Sequence, residues 1–139
     1  MKDSLSLKNQ VCFPIYALAK EVISQYRPLL DELDVTYPQY LVLMVLWGNP
    51  EQTVGQLGEK LFLDSGTLTP LLKRMEQKDM VFRKRSSIDE RIVNLSLTEK
   101  GIALKAKAKD IPQHLKESIG VSTEELIELK RIITKILNK

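Results

Sequence analysis

The sequence predicts a mainly α-helical chain with a small β-hairpin wing, arranged as a winged helix-turn-helix. Three observations lead there. Apolar residues recur at helical spacing over most of the chain, and two short capped helices follow one another between Gly48 and Asp79. The period then switches to that of strands through Met80–Arg85 and Arg91–Leu97, with the polar stretch Ser86–Glu90 as a hairpin tip.

The first helix is expected over about Val11–Leu33, with Phe13, Ala17, Ile23 and the Leu29/Leu30 pair at apolar positions. Proline is tolerated only near a helix start, so Pro14 places Cys12 in or just before the first turn. Pro28 is expected to bend or interrupt the far end. Thr36-Tyr37-Pro38-Gln39 opens a second helix, with Thr36 as cap, Pro38 in the first turn and Gln39 completing a capping box. The run LVLMVLW that follows is apolar all round, which marks the core helix of the domain. Gly48-Asn49-Pro50 stops it. Thr53 and Gln56 form a second capping box on a short helix ending near Leu61.

Asp64-Ser65-Gly66-Thr67 is the polar start of a fourth helix whose first turn is constrained by Pro70. Leu68, Leu71, Leu72 and Met75 should face the core, leaving polar side chains on the other face. After the hairpin, Thr98 caps a helix over about Glu99–Lys109, and Pro112 marks a break or restart. Ser122 and Glu125 make a third capping box, and the last helix carries the stripe Leu126/Leu129/Ile133/Ile136. The expected order is four helices, a hairpin and two helices.

A chain of 139 residues with 43% hydrophobic and 28% charged residues suits one globular domain. No apolar run approaches the roughly 20 residues of a bilayer span, and MKDSLSLKNQ lacks the apolar centre of a signal peptide. A cytoplasmic protein without membrane contact is expected. A single cysteine, Cys12, makes neither an intrachain disulfide nor a cysteine-based zinc site, and a single histidine, His114, leaves little room for a metal cluster or a triad. Catalytic residues, metals and cofactors are therefore not expected.

Charge is informative through its placement. Residues 65–91 hold seven basic side chains against four acidic ones, which accounts for the whole net charge of +3. Within this stretch Ser65, Thr67, Thr69, Lys73, Arg74 and Gln77 offer hydroxyls, an amide and cations on one helix. Free amides at the helix start would favour phosphate as well. The hairpin adds Arg83, Lys84, Arg85 and Arg91, suited to phosphates and a narrow minor groove. The ordered combination points to double-stranded DNA.

The segments TYPQYLVLMVLW, LGEKLFLDSGTLTPLLKRME and RSSIDERIVNLSLTEKG resemble the MarR family of bacterial regulators. NQVCFPIY, together with TYPQY and LDSGTLTPLLKR, resembles its organic-peroxide-sensing (OhrR-like) branch. The resemblance spans roughly Asn9–Gly101. It implies a recognition helix beginning near Asp64, and a wing shaped by Asp89 and Arg91 with Arg91 entering the minor groove. An aspartate facing DNA is expected to orient that arginine rather than touch the DNA itself. The resemblance further implies a two-fold homodimer on a pseudo-palindromic operator, which we expect to be AT-rich. The whole chain would form one domain of this type, with residues 1–34 and 99–139 as dimerisation helices and 35–98 as the DNA-binding lobe.

A thiol senses peroxide as its thiolate, which a helix N-terminus favours, and tyrosine hydroxyls donate hydrogen bonds to it. Tyr16 stands four residues after Cys12 on the same helix face. Tyr26 is about 21 Å further along a straight helix at about 1.5 Å per residue, so any contact with Cys12 must come from a partner subunit. The resemblance implies that contact, along with one from Tyr37. Oxidation of Cys12 would give a sulfenic acid, open to a mixed disulfide with a low-molecular-weight thiol, to a Cys12–Cys12 link between subunits or to irreversible higher oxidation, and would release a repressor from its operator. The alternative is a repressor of the same family induced by a small aromatic ligand, with Cys12 merely structural.

Overall fold

The computed structural model describes residues 3–138. A 3-10 turn at Leu7–Asn9 precedes α1 (Cys12–Asp31), α2 (Tyr37–Gly48), β1 (Glu51–Thr53), α3 (Val54–Leu61), α4 (Ser65–Gln77), β2 (Val81–Arg85), β3 (Val93–Leu97), α5 (Glu99–Ala108), α6 (Ile111–Ile119) and α7 (Thr123–Leu137). All three capping boxes form, at Thr36/Gln39, Thr53/Gln56 and Ser122/Glu125. Thr98 accepts from the Gly101 amide as the cap of α5. No described helix is long and apolar enough to cross a membrane.

Three expectations need correction. The wing sheet has three antiparallel strands in the order β1-β3-β2, because β1 pairs Gln52 opposite Leu95 and buries it. Three residues are too few to show a strand period. Pro112 opens a separate helix, α6, since a first-turn proline lacks only an amide that no helix bond needs. There are thus three helices after the wing among the described residues, where two were expected. α1 carries Pro28 within it and runs on to Asp31, with Leu30 buried at 2% exposure. Pro70 lies well inside α4, which starts at Ser65.

The chain divides into two compact units. The first comprises residues 1–25 and 110–139, and the second Tyr26–Lys109. In the second, α2 supplies the centre of the core through Tyr40, Val42, Leu43 and Leu46. Leu57 from α3, Leu68, Leu72 and Met75 from α4, and Met80, Val81 and Leu95 from the wing base are buried there too. In the first unit α6 buries Ile111 and Leu115, whereas α7 buries none of its side chains.

The wing base is closed by a close backbone approach. A Cβ on Gly101 would lie 2.2 Å from the Met80 carbonyl oxygen, so only glycine fits. The Gly101 carbonyl accepts from Trp47 Nε1 at 2.9 Å, and its amide donates to Thr98 Oγ1 at 3.0 Å. Gly101→Ala should therefore destabilise the fold by about 1–3 kcal/mol, read as a lower urea midpoint. An unchanged midpoint would mean that this approach relaxes without cost.

Candidate DNA interface and thiol site

At 3.6 residues per turn, the buried strip of α4 is Leu68, Leu71, Leu72 and Met75. Lys73 and Gln77 lie at the middle of the opposite face, Thr69 and Arg74 flank them, and Ser65 and Thr67 stand nearer its edges. All six are exposed. Gly66 shares the middle of this face, and a Cβ there would meet only Asp64 Oδ1, at 3.7 Å. The helix start is less open to phosphate than the sequence suggested. Asp64 Oδ1 accepts from the Thr67 amide at 2.7 Å. Hydrogen bonding from Thr67, side chain and then amide, holds the Asp64 carboxyl below its ordinary range.

The wing cations divide by their partners. Asp89 clamps Arg91, accepting from Nε at 3.1 Å, from Nη2 at 3.1 Å and from the backbone amide at 3.0 Å. The Arg91 side chain, and next its amide, keep the Asp89 carboxyl low. Arg91 is thereby held in a fixed pose while its side chain stays 89% exposed. Ser86 Oγ accepts from the amides of Ile88 and Asp89, which orders the tip. Arg85 donates to the Glu90 carbonyl. Arg83 is turned inward, pairing with Glu76 of α4 at 3.2 Å with 24% of its side chain exposed. Lys73, Arg74 and Lys84 make no ion pair among the described residues.

Lys78, counted in the basic stretch, also turns back into the protein. Its Nζ donates to the Asp34 carbonyl at 2.7 Å and to Gln39 Oε1 at 3.2 Å. Beneath the wing, α3 and α4 form an open cleft of about 900 Å3 with Arg83, Arg85 and Arg91 at its edge and Leu63, Leu68, Leu72 and Ile92 among its apolar lining.

Cys12 is the first residue of α1 and is exposed. Tyr16 is 61% exposed, with Lys20 Nζ 5.3 Å from its ring centre. In the other unit Tyr26 and Tyr37 pack at 4.6 Å between ring centres. Tyr40, the last residue of the TYPQY segment and not among the expected site residues, joins them at 5.8 and 6.4 Å. Burial, then the neighbouring Tyr37 and Tyr40, push the Tyr26 phenol up to about 12. Burial raises Tyr37 and Tyr40 as well, the latter also through Tyr37. These phenols stay protonated at neutral pH, ready to donate.

The family model described as transcriptional regulator SarA/Rot matches residues 23–108. The organic hydroperoxide resistance transcriptional regulator of Bacillus subtilis is 52% identical over 97% of this chain and 92% of its own length. The chain belongs to the MarR/SarA family of transcriptional regulators. It is a DNA-binding regulator with a winged helix-turn-helix. Reduced AbfR bound to DNA has a similar structure, with a TM-score of 0.76 and 32% identity over 99% of this chain and 100% of that one. Overoxidized AbfR bound to DNA gives 0.74 and 34% over 94% of each chain; AbfR is a protein of Staphylococcus epidermidis. A mutant MarR of E. coli complexed with operator DNA gives 0.82 and 25% over 91% of this chain and 93% of that one.

The regulator's Tyr26 offers a direct check on the tyrosine cluster. A phenol raised above its ordinary value of 10.0 contributes stability that is complete below that value and lost as pH rises through about 12. An alkaline titration of tyrosinate absorbance should show a last phase near pH 12 that Tyr26→Phe removes. A last phase that persists in Tyr26→Phe would contradict the cluster.

Proposed function

We propose that the regulator is a homodimeric repressor whose two α4 helices read successive major grooves of a pseudo-palindromic, AT-rich operator, and which leaves that operator when organic hydroperoxide oxidises Cys12. The observation that carries the redox part is the exposed thiol at the first position of α1, in a chain 52% identical to an organic hydroperoxide resistance regulator. Lys73, Arg74, Gln77, Ser65, Thr67 and Thr69 face DNA from the helix. The clamped Arg91 enters the minor groove, Lys84 and Arg85 meet phosphate, and Arg83 serves from the edge of the cleft.

Dimerisation rests on apolar surface that the chain leaves uncovered. Phe13, Ile15 and Leu18 of α1 are 44–57% exposed, and Leu129, Ile133 and Ile136 of α7 are 41–53% exposed. Burying side chains of this size stabilises by about 1.5–3 kcal/mol each when complete, so a second copy is the natural cover. Two-fold symmetry then matches the spacing of operator half-sites. The partner's α1 would also bring a second Tyr26 towards each Cys12, with Tyr37 and Tyr16 completing the hydrogen-bond donors.

The chemistry balances simply. The Cys12 thiolate attacks the distal peroxide oxygen, the O–O bond breaks, and an alkoxide leaves to be protonated to the alcohol as the sulfenic acid forms. A low-molecular-weight thiol then displaces water to give a mixed disulfide. AbfR has been solved on DNA in an overoxidized state, so we assign release here to the bulk of the mixed disulfide, which wedges apart the tyrosine contacts and favours a dimer with the wrong helix spacing.

The test is operator release followed by fluorescence anisotropy. Hydroperoxide with free cysteine should lower wild-type affinity by about tenfold or more, reductant should restore it, and Cys12→Ser should stay bound. Retention of DNA by wild-type protein would overturn the redox reading. A second reading, induction by a small aromatic ligand, is favoured by the arginine-edged cleft with its apolar lining. It predicts release of wild-type and Cys12→Ser protein alike by an aromatic carboxylate.

Ile133→Asp should yield a monomer in sedimentation with little specific operator binding. A dimer of normal affinity would show that α7 is not the interface.

A further inference from the structure

We infer that Lys78 is a positioning residue, a strut that carries a displacement of the first turn of α2, where Tyr37 stands, to the C-terminal end of the recognition helix α4. The inference rests on the redox reading above and adds the route by which the thiol site acts on DNA affinity.

The geometry is specific. Lys78 is the C-cap of α4, with its amide donating to the carbonyls of Arg74 and Glu76. A cation at this end of a helix is ordinarily free to reach solvent or phosphate. Here its Nζ is committed to the α1–α2 turn, donating to the Asp34 carbonyl at 2.7 Å and to Gln39 Oε1 at 3.2 Å, with the Asp34 carboxylate 3.8 Å away. Only 30% of the side chain is exposed.

Gln39 is no ordinary acceptor. It is 2% exposed, and the same Oε1 accepts from the Thr36 amide at 3.1 Å, closing the capping box that starts α2. Tyr37 stands between Thr36 and Gln39, with its ring against Tyr26. A push on Tyr37 therefore moves the cap to which Lys78 is bonded.

The other side of the junction is fixed to the wing base. Lys100 Nζ donates to the Lys78 carbonyl at 2.8 Å, Thr98 Oγ1 to the Asp79 carbonyl at 2.6 Å, and the Thr98 amide to the Met80 carbonyl at 3.1 Å. Asp34 and Asp79 both take left-handed backbone angles, φ 56° and 60°, so each turn is sharp on either side of the strut. The end of α4 is thus held between the tyrosine-bearing cap and the wing base, and displacement of the former rotates the helix about the latter.

The experiment compares Lys78→Met, which keeps the aliphatic stem, with wild type and with Lys73→Met in operator titrations at several salt concentrations. Each protein is measured reduced and after treatment with hydroperoxide and free cysteine. For Lys78→Met the ratio of oxidised to reduced Kd should fall by about tenfold, with the salt slope unchanged. Lys78→Arg, which also reaches the turn, should restore the ratio. Lys73→Met should weaken both forms equally and reduce the salt slope by about 0.9.

A Lys78→Met protein with a full oxidised-to-reduced ratio would overturn the strut. So would one with a salt slope reduced like that of Lys73→Met, because Lys78 would then be a phosphate ligand. If wild-type protein keeps its DNA on oxidation, the redox reading fails by itself. A cycle of Tyr37→Ala and Lys78→Met on the reduced protein then decides the strut alone. Non-additivity of about fivefold in Kd supports it and additive effects sink it.

Discussion

The recognition helix has one apolar strip, and its orientation has to be set at its ends. Leu68, Leu71, Leu72 and Met75 hold α4 to the core, but such packing tolerates small rotations about the strip. At the N-terminus the Asp64 carboxylate takes the Thr67 amide. At the C-terminus three successive carbonyls, of Lys78, Asp79 and Met80, are each bonded by Lys100 or Thr98. Gly101 can approach Met80 because it has no side chain, and that approach closes the wing base. Helix and wing are consequently presented as one reading head.

The terminal helices obey a different constraint. A helix with apolar residues on one side and nothing buried is unsatisfied as a lone chain, and α7 is such a helix. In the proposed dimer this surface becomes the interface, and the Cys12 thiol at the start of α1 is brought to half-buried tyrosine hydroxyls that can donate to it. Sensing then shares its contacts with assembly. In that proposal, modification of Cys12 would alter the relation between subunits without touching the groups proposed to meet DNA.

Much of this was legible in the sequence because it is written in local chemistry. Capping boxes at Thr36, Thr53 and Ser122 announce themselves by a hydroxyl and an amide or carboxylate three residues apart, and each forms. The change of period after Asp79 marked the wing, and the DER sequence marked the clamp between Asp89 and Arg91. What escaped was non-local. β1 is three residues long, and only its pairing with β3 makes it a strand. Lys78 and Arg83 read as exposed cations, whereas their partners Asp34, Gln39 and Glu76 lie too far along the chain for spacing to reveal them. Tyr40 stands next to the apolar run, with no spacing to Cys12 that singles it out, and joins the cluster only through contact with Tyr26 and Tyr37.

The central claim, that the chemical state of Cys12 decides whether the dimer holds its operator, is tested most directly by native mass spectrometry of the dimer–operator complex during oxidation. The spectrum reports the adduct on each subunit and the bound DNA in the same particle. DNA-bound dimers should carry unmodified Cys12, with the thiol-adduct mass confined to dimers that have lost DNA. Adduct-bearing dimers that remain on DNA in proportion to their abundance would contradict the account.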